Sequence, residues 1–410
     1  NNHFAILGNT GAGKSCAVAS ILQKLFVKKE TAPINANFFF FDAYGEYSNA
    51  FSQLNSINPL LNYKAYTTNP MSNDDSLLRI PTWLLDVDDL ALLLDVTSAN
   101  QLPIIEKTLK LVYIFKNTDE NVSNYKNDII ASCILDILTS GRTSTQIRDQ
   151  VIAVLTRYNT ENLNLETEIS QPGYSRTIRQ CLNIDQQGKM NSVQYVVDLL
   201  EQYKKLDLGT IKGIPNFVYS LDDIYYARKL FKNDRNYQII NFNLNYIDER
   251  MAKKITKILS KMFFDFATSL DDRGTFPIHI ILEEAHRYVQ NDNDINILGY
   301  NIFDRITKEG RKYGVILGLI TQRPSELSVT SLSQCSNFIV LRMFYPDDLN
   351  MIKSITSNIT DGTFEKLKSF LPGNALVFGT SFKLPLLVKV DLPSQLPEST
   401  SVDISDKWYK

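Results

Sequence analysis

The chain is poor in cysteine, with only Cys16, Cys133, Cys181 and Cys335 in 410 residues. Their scatter, without metal-ligand spacing, excludes a disulfide framework and a zinc site and fits a reducing cytoplasm. Long hydrophobic runs are missing too. No apolar stretch approaches the ~20 residues of a membrane span, and Phe38-Phe39-Phe40-Phe41 suffices only for a buried strand core. Neither sign of charge dominates: 43 basic against 45 acidic side chains leave a net charge of −2. That balance excludes a broadly basic coat for nucleic acid, although a ring-shaped motor needs only a few cations lining its pore. An initiator methionine and a secretory leader are absent, and Asn1-Asn2 leads almost at once into an apolar segment, the start expected of a fragment. What remains is 44% hydrophobic content, enough for one large core or two domains.

The dominant motif is Gly8, Asn9, Thr10, Gly11, Ala12, Gly13, Lys14 and Ser15, which satisfies every specified position of a phosphate-binding P-loop. Glycines let backbone N–H groups turn toward an anion, Lys14 reaches β- and γ-phosphates, and the Ser15 hydroxyl ligates Mg²⁺. Cys16 completes the set expected to touch nucleotide. The context agrees: residues 3–7 read as a short buried strand, and Val18, Ile21, Leu22 and Phe26 recur at helical spacing after the loop. A helix starting there aims unpaired N–H groups and its positive dipole end at phosphate.

A second strand, residues 37–41, ends in the acidic loop Asp42-Ala43-Tyr44-Gly45-Glu46-Tyr47. In an open parallel sheet, ligands lie beyond the carboxyl ends of strands, so Asp42 and Glu46 either face the nucleotide or cap a tight turn. Residues 86–235 change to helical periodicity over 90–94, 104–115, 129–138, 147–158 and 193–206, the pattern of an inserted helical subdomain. Core strands resume at 238–242, followed by a helix that Asp248 can cap. On that helix Lys253, Lys257 and Lys261 form an i, i+4 row, which either tracks phosphates or, as is commoner for such runs, is solvated.

Residues 278–282 form an apolar strand that ends in Glu283-Glu284. Beside a P-loop, such a pair has the form of a Walker B element, in which one carboxylate holds Mg²⁺ through water and the other orients or deprotonates the attacking water. A helix over 302–312 carries Arg305, Lys308, Arg311 and Lys312 near its end, where cations complement the helix dipole. The strand 315–320 follows, and the Gln322 amide at its tip can touch a γ-phosphate or water. Strands at 338–341, 375–378 and 386–390 complete an α/β fold. The expected organisation is a core split between 1–85 and 236–392, an insertion over 86–235, and a polar arm over 393–410 able to pack on a neighbour.

Taken in order, these motifs resemble the HerA branch of the HerA/FtsK superfamily of P-loop NTPases. The resemblance is carried by residues 8–15, by Asp-Ala-Tyr-Gly-Glu-Tyr at 42–47, by Ile-Leu-Glu-Glu-Ala-His at 281–286, by Glu-Gly-Arg-Lys-Tyr-Gly at 309–314, by Thr-Gln-Arg-Pro-Ser at 321–325, and by Leu-Arg at 341–342. It implies a RecA-like core with a mostly parallel central sheet, a homohexamer with nucleotide between subunits, and an ATP- and Mg²⁺-dependent translocase or helicase on double-stranded DNA. Lys14 and Ser15 would serve phosphate and metal, Glu283 would support Mg²⁺ through water, Glu284 would be the base, and Gln322 would sense the γ-phosphate. Arg311 is the expected arginine finger for the adjacent subunit, with Arg305 and Lys312 as rivals. The implied partner is a nuclease or a sirtuin-like effector, in DNA end processing or antiphage defence; the alternative is an ATP-stabilised hexameric scaffold that activates an effector with little DNA movement. Two features depart from the family pattern: no β-barrel precedes the P-loop, and Ala43-Tyr44 stands where relatives often carry Pro-His.

Overall fold

A computed structural model of the chain describes residues 2–27, 32–59 without 34, 61–69, 76–80 without 79, 85–109 without 107, isolated positions between 133 and 153, 237–356 and 359–398. Contacts divide the chain into two units, Asn1–Leu84 with Leu208–Lys410, and Leu85–Asp207. In the second unit, helix Val87–Leu93 begins at Asp86, whose carboxylate accepts the N–H groups of Asp88 and Asp89, both at 3.0 Å. The helices expected over 129–138, 147–158 and 193–206 lie wholly or largely outside the described residues.

Among the described residues, the first unit is built on a ten-stranded sheet. Its strands are β1 (Phe4–Leu7), β2 (Asn37–Asp42), β3 (Asn62–Thr67), β4 (Ser76–Leu77), β5 (Tyr237–Asn243), β6 (Ile278–Leu282), β7 (Val315–Thr321), β8 (Asn337–Val340), β9 (Asn374–Gly379) and β10 (Leu386–Lys389). They are arranged β10-β9-β8-β1-β7-β6-β2-β5-β3-β4, parallel from β8 to β4 and antiparallel at β8–β9 and β9–β10. The expected α/β architecture with a mostly parallel central sheet is therefore observed.

The central strands are apolar almost throughout because both faces are covered. In β2 the four phenylalanines alternate with the strand's period of two. Phe38 and Phe40 join the core formed by helix α1 (Lys14–Val27) and helix α2 (Ser48–Ser52), where Phe40 meets Tyr47 and Phe51 with ring centroids 4.5 and 5.7 Å away. Phe39 points the other way and stacks on Phe263 of helix α3 (Glu249–Thr268) at 4.0 Å. In β7, Gly318 lies opposite Phe4 of β1, and a Cβ there would sit 2.9 Å from the ring's Cε1. The glycine makes room for the ring.

The lysine row on α3 is neither solvated nor free to follow a nucleic acid. Lys257 is 3% exposed and paired with Asp292 and Asp294; Lys253 reaches Asp292 at 3.4 Å, and Lys261 pairs with Asp265 at 3.1 Å. The helix expected over 302–312 is shorter than its pattern suggests. Helix α4 (Ile302–Glu309) gives way to a 3₁₀ turn over Gly310–Tyr313, because the chain must turn at Gly314, with φ 77°, into β7.

Strand order fixes where the chemistry gathers. β1, β7, β6 and β2 are consecutive neighbours and parallel, so the residues that follow their carboxyl ends meet at one edge.

Candidate active site

The loop after β1 is held from both sides. Gly8 N–H donates to the Thr321 carbonyl at 3.2 Å, Asn9 N–H to the Arg342 carbonyl at 3.0 Å, and Gly373 N–H to the Ala12 carbonyl at 3.1 Å. The Asn9 side chain accepts the Phe344 N–H at 2.9 Å. Gly13 has φ +87°, in the left-handed region, and a Cβ there would lie 3.1 Å from the Gly373 nitrogen. Only glycine lets the backbone pass this close and still turn into α1. That helix starts at Lys14 with no acidic side chain in its first turn, which leaves its N-terminus suited to an anion.

Across the cleft, β6 delivers Glu283 and Glu284, which are 1% and 4% exposed. Glu283 Oε2 accepts the Ala43 N–H at 3.1 Å. Asp42 accepts the N–H groups of Glu46 and Tyr47 at 3.0 and 2.9 Å and the Asn241 amide at 3.2 Å, so it anchors the acidic loop from beneath and does not face the cleft. Burial and the charge of Asp42 hold the Glu283 carboxyl well above the ordinary range. Burial raises the Asp42 carboxyl as well, against the hydrogen bonds it accepts from Tyr47, Asn241 and Glu46.

Glu284 is the unusual residue. Its backbone is left-handed, φ 48° and ψ 46°, a conformation that carries strain for any side chain with a Cβ. The turn aims its carboxylate back over the P-loop, where Oε1 accepts from Lys14 Nζ at 3.0 Å. Oε2 lies 3.2 Å from His286 Nδ1, which is itself 2.9 Å from the Thr321 hydroxyl. Burial holds His286 below its ordinary pKa in spite of Glu284, so the ring is neutral. From the tip of β7, Gln322 Oε1 accepts the Thr10 hydroxyl at 2.6 Å.

These groups enclose a cleft of about 500 Å³. Residues 9–11 and 13–16 line it, so Cys16 is included, with Glu283, Glu284 and Gln322 opposite. Gly8 and Ala12 support the loop from behind, and Ala12 is fully buried. Arg311 stands elsewhere: it is exposed in the turn before β7, at the edge of the sheet opposite the cleft. Arg305 lies over the rings of Phe264 and Tyr300, and Lys312 is exposed beside Arg311.

Sequence reasoning gave no nucleotide role to Thr10's partnership with Gln322, to His286, or to Pro397, which also lines the cleft. Pro397 carried no signal: residues 394–398 read as an arm, yet they bond to α1 and α2 of their own chain. Gln23 donates to the Gln395 carbonyl at 3.0 Å and accepts from Ser394 N–H at 2.8 Å, and Glu398 N–H donates to the Glu46 carbonyl at 2.8 Å. Glu46 itself lines the cleft, where burial raises its carboxyl against a hydrogen bond from Ser15. Arg342 closes the list of additions, its guanidinium beside Gly11.

The profile of the helicase HerA central domain matches residues 1–263 of this chain. The chain belongs to the HerA helicase family. A probable helicase of Methanocaldococcus jannaschii is 25% identical over the whole chain and 66% of its own length. The DNA double-strand break repair helicase HerA of Sulfolobus acidocaldarius is 26% identical over the whole chain and 69% of its own length. The chain thus spans about two thirds of the length of the curated relatives it matches. Among solved structures, VirB4 of Thermoanaerobacter pseudethanolicus superposes with a TM-score of 0.51 at 13% identity, covering 96% of this chain and 91% of that one. The plasmid coupling protein TrwB, in complex with ADP and Mg²⁺, gives 0.52 at 10% identity over 97% and 87%. At these identities the likeness is one of fold alone. Among the described residues, no helix is long and apolar enough to cross a membrane.

Proposed function

We propose that the cleft hydrolyses ATP with Mg²⁺ and that the chain is the motor part of a homohexameric helicase or translocase acting on double-stranded DNA. The observation that carries this reading is the convergence of Lys14, Glu284 and Gln322 on one P-loop, from three adjacent strands. The residues fit the nucleotide: Gly11 and Gly13 have positive φ, and the anion side offers backbone N–H groups and one ammonium. They also fit the metal. Ser15 and Glu283 offer it oxygen, with Glu46 adjoining Ser15; among the described residues there is no cluster of three His, Cys, Asp or Glu able to cage a metal alone. That suits an ion held mainly by phosphates and water. Held by Ser15 and, through water, by Glu283, Mg²⁺ would supply positive charge against the charge that develops on the phosphates.

The chain's own residues then have separable tasks. Lys14 is shared between Glu284 and incoming phosphate, so binding ATP loosens Glu284 from its resting partner. Glu284 orients water and takes its proton, and Gln322, tied to Thr10, reports the γ-phosphate to β7. Arg311, on the edge away from its own cleft, is suited to serve a neighbouring subunit. A nuclease or sirtuin-like effector is the proposed partner, in DNA end processing or antiphage defence in the cytoplasm.

Subunit mixing tests the interfacial part. Glu284→Gln and Arg311→Ala should each abolish turnover alone. Mixed one to one, about a quarter of random interfaces join an intact Glu284 to an intact Arg311, and turnover should return toward that fraction. A mixture as inactive as its parents would remove Arg311 from the finger role. Full activation of the effector by Glu284→Gln assemblies would make the ring a scaffold and not a motor.

A further inference from the structure

We infer that His286 is a positioning residue that holds the Glu284 carboxylate to the tip of β7 through its Nδ1–H. The inference rests on the reading of Glu284 as the base.

Three observations carry it. First, Glu284 Oε2 is buried and, among the described residues, accepts no well-aligned hydrogen bond, while His286 Nδ1 lies 3.2 Å away. Second, the same nitrogen is 2.9 Å from Thr321 Oγ1, on the strand whose next residue is Gln322. Third, the left-handed backbone at Glu284 persists only if its surroundings over-determine it, and Lys14 on one oxygen is a partner that phosphate competes for. His286 is the neighbour that does not leave.

The tautomer follows from chemistry. Thr321 Oγ1 already accepts the Arg323 N–H at 3.0 Å. A bare Nδ1 lone pair beside Oε2 would set two acceptors against each other, whereas Nδ1–H is attracted to both oxygens. The charged and titratable groups around the ring are Glu284, Glu326, Lys14 and Arg323, and burial outweighs the two acids, keeping the imidazole neutral. A neutral N–H that leans toward Thr321 leaves Oε2 free to receive a proton from water; leaning toward Glu284, it fixes the carboxylate's rotation. A shift of β7, where Gln322 meets Thr10, would thereby be felt at the base.

The test separates turnover from binding in the full chain, with His286→Leu, His286→Asn and Glu284→Gln measured for kcat, KM and affinity for a fluorescent ATP analogue. His286→Leu should lower kcat about tenfold to a hundredfold, the scale of a misplaced catalytic group, with KM and affinity within about twofold. His286→Asn, whose amide N–H can occupy the place of Nδ1–H, should restore kcat to within about fivefold of wild type. Unchanged kcat in His286→Leu, or an equal loss in a folded His286→Asn, would overturn the inference while an inactive Glu284→Gln leaves the base reading standing. Turnover by Glu284→Gln near the wild-type rate would overturn both. Should His286→Leu not fold, Thr321→Val against Thr321→Ser carries the same comparison: loss with valine and recovery with serine support the link, and equal rates refute it.

Discussion

Replacing Lys257 by methionine should destabilise the core without touching DNA affinity. The Lys257 side chain is 4% exposed and its ammonium lies between Asp292 and Asp294, whose side chains are 17% and 15% exposed. Burial raises the Asp292 carboxyl, but the hydrogen bond and charge of Lys257, with help from Lys253, outweigh it and leave it below the ordinary range. Asp294, with burial dominant and Asp292 adding repulsion, stays above it. Methionine keeps the packing of the stem and removes only the charge. Removing one partner of a buried ion pair costs about 3–5 kcal/mol; residual exposure of both aspartates, and Lys253 at 3.4 Å from Asp292, bring the expected loss to about 2–3 kcal/mol. The assay is urea unfolding, read as a midpoint shift at unchanged m. Adding Asp292→Asn and Asp294→Asn to the same variant should recover most of the loss, because no unpaired buried charge remains. In parallel, the slope of duplex binding against salt should not change, whereas a lost phosphate contact would reduce it by about 0.9. A stability loss below about 1 kcal/mol, or a reduced salt slope in a protein of unchanged stability, would refute the reasoning.

Two further outcomes follow from buried polar groups. Gln23 is 2% exposed and fully used, donating to the carbonyls of Ala50 and Gln395 at 2.8 and 3.0 Å and accepting from Ser394 N–H and Oγ at 2.8 and 2.9 Å. Gln23→Ala should cost about 2–4 kcal/mol, counting the orphaned groups, and expose residues 394–398 to limited proteolysis; unchanged cleavage would mean that the segment is held elsewhere. His3 and His279 are both lowered to about 4, chiefly by burial, so the unfolded chain binds more protons than the folded one between pH 6.5 and 4. Their share of stability is present at neutral pH and is lost as pH falls through that window, roughly 3 kcal/mol for each by pH 4. Raised Glu283 and Asp42 act with the opposite sign, so the check is a difference: His279→Phe, stacking on Phe38 as the imidazole does at 4.5 Å, should flatten the stability profile by about one proton. Identical slopes would show that His279 titrates normally.

What could be read in advance was whatever the chain writes in consecutive residues. The P-loop and the strand Ile278–Leu282 with its two glutamates have their signal in local sequence, and they fall where expected. Strands β3 and β4, at one end of the sheet, were not expected, because Asn62–Thr67 is a polar, partly exposed segment whose alternation is too weak to stand out. The lysine row misled for a different reason: a helical period shows which side chains share a face, but not that Asp292 and Asp294, some 35 residues on, cover it. The link from His286 to Thr321 likewise joins two motifs 35 residues apart, and only the adjacency of β6 and β7 brings them together. The segment at 394–398 gave no period at all, and what fixes it is Gln23 on α1 together with Glu46 and Asn49.

The most direct test of the site is to measure ATP binding and hydrolysis together in Glu284→Gln. The side chain keeps its shape and its place over Lys14 but can no longer take a proton. Binding within about twofold of wild type with hydrolysis reduced at least about a hundredfold is the expected result. Hydrolysis within about fivefold of wild type would contradict the assignment of Glu284 as the base and, with it, the account of this cleft.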